Sequence, residues 1–334
     1  MNQKQRMIGW GLSVLALALA HPLSAAGGYV AESVGIVTEI DVRRGGLAEV
    51  RRLGAQEWRP AGPLLTLNAG DTVRVSQGAS VVILLSGGRG SLKIDTTNSP
   101  FQIPAVVPTA EQSKLRRGWV LLEESFKALV KASNDSDQVT LGTRGPASSL
   151  MILTPRNGLV LPDSLVFEWA GDQSARYTVR VIGTGGVVLE RRDIAGTTLV
   201  YPADAMPPTP GMHYQLQVVG GPRLADKVWF EVLSPARAAA IRHDLFDLAT
   251  VDPAMPPDTL VITQAAFLVS QGLLHDARLK LITALAEKPD QAALHVLLGD
   301  VYEQVGLPDQ AAESFAEAIS LGSDRAQRKP RGLW

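Results

Sequence analysis

The stretch "LLGDVYEQVGLPDQAAESFAEAI", residues 297–319, has the pattern of one helix, a turn and a second helix. Apolar residues recur at the three- and four-residue spacing of a helix that buries one face. Small residues, Gly299 and Ala311, stand where the two helices would touch. The stretch therefore predicts a helical hairpin with closely packed backbones.

A weaker copy of this hairpin lies 34 residues earlier, in "AAFLVSQGLLHDARLKLITAL" at residues 265–285. The small, large apolar and glycine classes recur at a constant offset, and only Gln264 departs from its class. The later positions are Leu298, Gly299, Tyr302, Gly306, Ala311, Phe315 and Ala318, and the earlier ones are Gln264, Ala265, Leu268, Gly272, Ala277, Leu281 and Ala284. An unrelated helical hairpin would not repeat these classes, so the offset predicts a repeat.

These residues resemble the tetratricopeptide repeat, whose period is also about 34 residues. The resemblance covers 258–325, with Pro289 at the position of the family's proline and Ser323 in that place in the second unit. It implies that Gly299 or Ala265 lets the paired helices approach. Since such arrays need about three units to bury a continuous core, the helix predicted over 236–249 is expected to cap this pair.

The same resemblance implies a concave binding face on the first helix of each unit, and therefore a protein partner. The residues that it places on this face are Ile262, Ala266, Val269, Val296, Asp300, Glu303 and Gln304. Two units form only a small groove, so the expected partner is a short segment or another copy of the same surface. Reversing the charge of Asp300 and Glu303 should weaken its binding.

Residues 28–110 have the pattern of a β domain. Short aliphatic runs such as "VGIVTEI" and "ASVVILLS" alternate with glycine-rich turns. Residues 81–85 are apolar on both faces, which predicts a central strand covered on each side, and Trp58 is expected to fill the core.

The order of "GIVTEI", a Trp-Arg-Pro and "LNAGDTVRVSQGASVVILLSGG" resembles the FecR-type periplasmic domain over about residues 34–103. That resemblance implies sensing or relay of a signal in the periplasm.

Residues 111–149 are predicted to contain a linker and one bridging helix. Trp119, Leu122, Phe126 and Leu129 are spaced by 3, 4 and 3 residues, which places them on one helical face. We expect this face to pack as a strut on a neighbouring domain. The alternative is a helix that binds a partner.

Residues 150–235 return to β structure in segments that alternate apolar and polar residues, the pattern of strands buried on one face. Six strands are predicted, and "GTGG" at 183–186 is expected to form a hairpin turn. The succession "FEW", "YTVRV", "LVYP" and "PGMHYQLQV" resembles immunoglobulin-like or fibronectin type III sandwiches.

Residues 1–26 resemble a secretory signal peptide. Lys4 and Arg6 precede the apolar run 7–20, and small residues follow it, with cleavage expected after Ala25 or Ala26. The alternative is an uncleaved anchor. A periplasmic or secreted bacterial protein is predicted, and because the chain has no cysteine, disulfides and thiol catalysis are excluded.

No catalytic or cofactor motif stands out in the sequence. The five histidines include no pair at metal-binding helical spacing, and His275 and His295 are expected to be solvated. Neither a nucleophile elbow nor a P-loop is present in the mature chain. The chain has 32 Lys and Arg and 33 Asp and Glu, and this balance does not indicate nucleic-acid binding. Contact of the basic tail, 326–334, with an acidic surface is a weak alternative. We therefore expect no enzyme and no cofactor.

Together these patterns predict a multidomain α+β chain: two mainly-β domains followed by an all-α tetratricopeptide hairpin array. The leading functional hypothesis is a periplasmic interaction or scaffold protein that binds a protein partner through residues 236–325. The alternative is a periplasmic sensor whose FecR-like domain binds a cell-wall glycan or a small ligand and relays it. A hydrolase with residues that the sequence does not group is the third hypothesis.

Overall fold

A computed structural model describes residues 33–42, 45–105, 117–134, 150–163, 165–220 and 225–322. All of them belong to one compact unit, Glu32–Trp334. The predicted signal peptide (1–26), the basic tail (326–334) and much of the linker (111–149) lie outside the described residues. Within those residues, two β regions come first in the chain and five of six helices follow the last strand, so the predicted order of β structure and then helices is confirmed.

The first β region, residues 33–105, consists of two four-stranded sheets with the strand orders β4-β1-β6-β7 and β3-β2-β5-β8. The strands are β1 (Ser33–Val42), β2 (Ala48–Arg51), β3 (Arg59–Pro60), β4 (Thr66–Asn68), β5 (Thr72–Val75), β6 (Ala79–Leu85), β7 (Gly90–Ile94) and β8 (Phe101–Gln102). Aliphatic side chains from both sheets form its core. The short strands β3, β4 and β8 were not predicted, because two or three residues carry no readable alternation.

Strand β6 is central in its sheet, between β1 and β7, as the sequence predicts. Val81 and Ile83 face the core between the two sheets. Leu84 belongs instead to the cluster formed with the helices. Both faces of β6 are therefore covered, which explains its continuous apolar run.

The expectation that Trp58 fills the core is wrong. Trp58 is half-buried at the surface, and the guanidinium groups of Arg51 and Arg74 lie 4.9 and 4.0 Å from its ring centroid. A tryptophan ring attracts cations through its negative face. Strands β2 and β5 supply those cations, so the indole is held against two arginines outside the core.

The second β region, residues 150–232, is a sandwich of a five-stranded sheet, β10-β16-β15-β12-β13, and a three-stranded sheet, β14-β11-β9. The strands are β9 (Met151–Thr154), β10 (Gly158–Val160), β11 (Val166–Ala170), β12 (Arg176–Gly183), β13 (Gly186–Ala195), β14 (Thr198–Val200), β15 (His213–Val219) and β16 (Ala225–Val232). The six predicted strands correspond to β11–β16, and β9 and β10 were missed. Gly183 pairs with Gly186 at the β12–β13 turn, which confirms the hairpin.

Six helices complete the described residues: α1 (Arg117–Asn134), α2 (Pro235–Val251), α3 (Pro257–Ser270), α4 (Leu274–Glu287), α5 (Ala292–Gln304) and α6 (Pro308–Ser320). The principal contacts run in the spatial order α2–α1–α3–α4–α5–α6, and α3 also touches α2 and α5. Helix α1 therefore lies between α2 and α3, although the whole second β region separates it from them in sequence. We refer to these six helices as the helical array.

Candidate partner-binding surface

The predicted repeat is present as two helical hairpins, α3–α4 and α5–α6. A Cβ atom added to Gly299 would lie 2.4 Å from Cε1 of Phe315, so only glycine allows this approach of α5 and α6. The turn residues Gly272 and Gly306 have φ values of +74° and +76°, which glycine adopts without steric cost. These contacts confirm the close packing that the residue classes predicted.

A third helical pair, formed by α2 and α1, stacks beside α3. The sequence predicts only one capping helix, over 236–249, whereas Leu121, Leu122, Phe126 and Leu129 bury α1 in the same cluster as the repeats. The Nη2 atom of Arg117 pairs with Oδ1 of Asp244 at 2.5 Å and ties α1 to α2. The array therefore reaches the three pairs that such folds need for a continuous core, with one helix taken from a distant part of the chain.

The predicted partner contacts on α3 are Ile262, Ala266 and Val269. Ile262 and Ala266 are 1% and 2% exposed, and Val269 is partly exposed. Helix α3 packs against α1, α2, α4, α5 and β1, which leaves little of it free. In this structure, the first two side chains contact the chain itself.

The predicted contacts on α5 are Val296, Asp300, Glu303 and Gln304. Val296 and Asp300 are buried, Glu303 is half-buried, and Gln304 is exposed. The structure therefore brings the seven predicted residues onto two adjacent helices, but only Val269, Glu303 and Gln304 offer exposed area. Binding of a partner through these residues stays a prediction.

Strand β1 contacts the N-terminal turn of α3 through residues that sequence reasoning missed. The N–H and the hydroxyl of Thr259 donate to Oε1 of Glu39 at 2.8 and 2.6 Å. The Oγ1 atoms of Thr259 and Thr38 are 2.9 Å apart. A helix N-terminus has free N–H groups and favours a carboxylate, and no side chain of α3 caps this one. Glu39 therefore supplies the cap from the first β region.

A β-bulge explains how β1 presents both side chains. In the β1–β6 ladder Val37 pairs with Ile83 and Glu39 with Val82, so Thr38 is an extra residue. Bulges change the direction in which side chains point. Ile36 packs in the helical cluster and Val37 in the β core, as alternation requires, but Thr38 and Glu39 both reach α3. Alternation alone could not predict this.

The second β region contacts the array at the start of α4. His275 is 5% exposed and its Nδ1 forms a hydrogen bond with Oγ1 of Thr154, so the expectation that it is solvated is wrong. The N–H of Leu161 donates to Oδ2 of Asp276 at 3.1 Å. These contacts fix the sandwich on the α3–α4 hairpin.

Arg278 carries a buried charged contact of this interface. It is 5% exposed, and its Nη2 lies 2.7 Å from Oε2 of Glu168 on β11. Its Nε donates to the hydroxyl of Tyr302 at 3.2 Å. One side chain therefore links the sandwich and both repeats.

Two lysines, Lys280 in α4 and Lys288 directly after it, have pKa values shifted in opposite directions. The hydrogen bond and charge of Asp258 raise the pKa of Lys288, and Glu39 adds a smaller contribution in the same direction. Burial lowers the pKa of Lys280. Lys288 thus forms an ion pair with Asp258 near the N-terminus of α3. Lys280 lies where its charge is poorly solvated.

The described residues contain no group of three or more His, Asp or Glu side chains arranged to hold a metal ion. In the same part of the chain, the helices are all too short or too polar to cross a membrane.

Comparison with known proteins adds little to this geometry. No protein-family model matches the chain, and no curated protein matches it. Among solved structures it is similar to a multi-domain immunophilin from Arabidopsis thaliana, with 12% identity and a TM-score of 0.20, over 53% of this chain and 98% of that one. At this TM-score no statement on fold or function follows. The resemblances to FecR-type and immunoglobulin-like domains stay predictions.

Proposed function

We propose that the protein is a non-enzymatic interaction or scaffold protein of the bacterial periplasm, which binds a protein partner through its helical array in envelope signalling or assembly. The observation that supports this most is the pair of stacked hairpins at a 34-residue offset, because stacked helical repeats form extended concave binding surfaces. The proposal assigns no reaction and no cofactor to the chain.

The exposed end of α5 is the part of the predicted surface best placed to contact a partner. Gln304 is exposed and Glu303 half-buried, and both lie in the last turn of α5. Asp300 is 4% exposed, so reversing its charge would disturb folding as well as binding. Glu303 and Gln304 are therefore the positions to vary.

A photo-crosslinking amino acid at position 304 of the full chain, expressed in its host, tests this surface. The expected result is a discrete crosslinked protein that disappears when Glu303→Lys is added. The same crosslinker at Glu313, an exposed residue of α6, is the matched control. Identical crosslinks from both positions, or none from 304, would contradict the proposed surface.

The location is tested separately by fractionation and N-terminal sequencing of the chain made in a bacterial host. We expect it in the periplasmic fraction, with a new N-terminus after Ala25 or Ala26. A periplasmic chain that still starts at Met1 would favour the anchor. A cytoplasmic chain would contradict the localisation.

The sensor hypothesis is the second candidate, and the direct contact between β1 and the α3 N-terminus favours it. A ligand that shifts β1 would act on α3 without an intermediate element. Co-sedimentation of the full chain with purified peptidoglycan sacculi tests the cell-wall form of this hypothesis, with the heat-unfolded chain as control. If the folded chain stays in the supernatant, that form is wrong.

A further inference from the structure

A cleft of about 260 Å³ opens at the end of strand β2 in the first β region. Three of the residues that line it, Arg51, Thr72 and Gln102, belong to the neighbouring strands β2, β5 and β8. In the sheet register Arg51 pairs with Thr72, and Thr72 pairs with Gln102. Paired residues lie on the same face of a sheet, about 5 Å apart from strand to strand. A guanidinium, a hydroxyl and an amide therefore form one polar row across three strands.

The cleft carries a positive charge, because two arginines and no carboxylate line it. The charge of Arg52 is matched by Asp71, whose Oδ2 accepts from Nη1 of Arg52 at 2.6 Å. Arg51 forms no ion pair with any residue that the structure describes, and its guanidinium lies 4.9 Å from the ring centroid of Trp58. A tryptophan ring attracts a cation but has no net charge. The charge of Arg51 is therefore open to an anion.

The wall of the cleft is fixed by hydrogen bonds within the chain. Oδ1 of Asp71 accepts from the N–H of Leu53 at 3.0 Å, and the N–H of Ala55 donates to the carbonyl of Arg52 at 3.0 Å. The side chain of Leu53 is 70% exposed, so it presents an apolar surface beside the polar row. A site that is already in its binding geometry loses less entropy when a ligand binds.

We infer that this cleft binds a carboxylate-bearing sugar. The guanidinium of Arg51 matches the two oxygens of a carboxylate. The hydroxyl of Thr72 and the amide of Gln102 can each donate to and accept from sugar hydroxyls, and Leu53 can cover the apolar side of the ring. The cleft is slightly smaller than the pockets of about 300–1,000 Å³ that hold drug-sized ligands, so it fits one sugar unit. The inference rests on the sensor candidate, to which it gives a site and a ligand class, and it is independent of the helical array.

Fluorine NMR of the full chain labelled with 5-fluorotryptophan measures this binding, because Trp58 contacts Arg51 directly. The chain has six tryptophans, and the resonance that disappears in Trp58→Phe identifies Trp58. D-glucuronate is the probe, and D-glucose, which lacks the carboxylate, is the matched neutral sugar. Glucuronate should shift the Trp58 resonance saturably, with an affinity at least about tenfold above that of glucose. No saturable shift, or equal affinity for the two sugars, would overturn the inference.

Substitution of Arg51 tests whether the carboxylate is bound in the cleft. Arg51→Gln should weaken glucuronate binding about tenfold, because it removes a charge-assisted hydrogen bond, and Arg51→Lys should retain part of the affinity. Arg59→Gln is the matched control, since the Arg59 side chain is 76% exposed and lies outside the lining of the cleft. An equal loss in both glutamine variants would show general attraction to a basic surface and overturn the site.

Substitution of Thr72 separates a sugar site from a site for any small anion. Thr72→Val removes one hydroxyl and leaves Arg51 in place. It should weaken glucuronate binding about fivefold and leave the affinity for acetate, a carboxylate without hydroxyls, unchanged. If glucuronate binds no more tightly than acetate, or if Thr72→Val leaves glucuronate binding unchanged, the assignment to a sugar is wrong.

The source of the sugar is distinguished by chain length. A glucuronate oligosaccharide that binds about tenfold more tightly than the monosaccharide would indicate a unit within a glycan chain, and equal affinities would indicate a free sugar acid. Sacculi that fail to bind would contradict only the cell-wall form of the sensor candidate. Capture of a partner from position 304 should be the same in Arg51→Gln as in the unaltered chain, so failure of the cleft and failure of the helical array are separate results.

Discussion

Gly299 shows how one position sets the distance between two helices. Its missing side chain is replaced by the ring of Phe315, which fills the space against α5. In the earlier repeat, the corresponding positions are occupied by Ala265 and Leu281, and both are fully buried. A smaller partner on the second helix thus permits a larger residue on the first. The residue classes therefore repeat even though the residues do not.

Substituting Gly299→Ala should lower the free energy of unfolding by about 1–3 kcal/mol, because the new methyl group overlaps the Phe315 ring. Helix propensity alone predicts the opposite sign, since alanine is better than glycine by about 1 kcal/mol inside a helix. Denaturant unfolding measures the difference. Gly185→Ala, where nothing lies within 4 Å of the new atom, is the control.

The double variant Gly299→Ala, Phe315→Leu restores the size pattern of the first repeat. It should regain part of the lost stability. If the double variant is less stable than Gly299→Ala alone, overlap with the Phe315 ring is not the cause of the lost stability.

Lys280 is predicted to cost stability at neutral pH. Burial lowers its pKa in the folded chain, so the charged form is disfavoured by folding, and this penalty is relieved as the pH rises through the folded pKa. Lys280→Met should therefore raise Tm at about pH 7, by an amount that shrinks toward about pH 10.5, where unfolded lysine titrates.

Circular dichroism melts across this range measure the effect. Lys127→Met is the control, because the Lys127 side chain is 71% exposed. A gain at Lys280 that does not change with pH would show that packing rather than charge is responsible.

Helix α1 is the element whose role changed most between sequence and structure. Its periodicity predicted a helix that packs through one face, and it does pack through Leu122, Phe126 and Leu129. The pattern could not say which element it packs on, because any apolar surface satisfies the same face. In the structure, α1 completes the helical array between α2 and α3.

Leu122→Ala should therefore destabilise helices that are more than 100 residues away in sequence. Leu122 is 1% exposed, and removing a buried leucine side chain costs about 2–5 kcal/mol. Hydrogen exchange should accelerate in α2 and α3 more than in β12 and β15. Lys127→Ala on the exposed side of α1 is the control, and equal acceleration in the sandwich would contradict the assignment of α1 to the array.

The whole molecule is held together by contacts between its regions as well as by its cores. The second β region meets the array through Arg278 and His275, and the first through Glu39, Glu123 and Asp252. None of these pairs is close in sequence. Each unites a polar side chain with a group on another element, so none produces a periodic pattern.

Arg278→Met should separate the unfolding of the sandwich from that of the array. It removes the pair with Glu168 while keeping most of the side-chain volume, at an expected loss of about 1–3 kcal/mol. Calorimetry should show a broadened or split transition. Arg242→Met is the matched control, since Arg242 pairs with Asp163 across the same two regions but at the surface, where a pair contributes about 0–1 kcal/mol. An unchanged single transition in both variants would contradict the role of Arg278.

Taken by itself, the sequence determined the helices, the longer strands and the repeat. Their signals are local, because spacing along the chain dictates which side chains share a face. It also determined that α5 and α6 approach closely, since the repeat places Gly299 and Ala311 between them, whereas the contact of Gly299 with the Phe315 ring was decided by the tertiary structure. The tertiary structure alone decided that α1 joins the array, that Trp58 lies outside the core, that His275 is buried, and that Glu39 of β1 caps the N-terminal turn of α3. These outcomes depend on which faces meet, and a bulge of one residue in β1 is enough to redirect two side chains onto a helix more than 200 residues away.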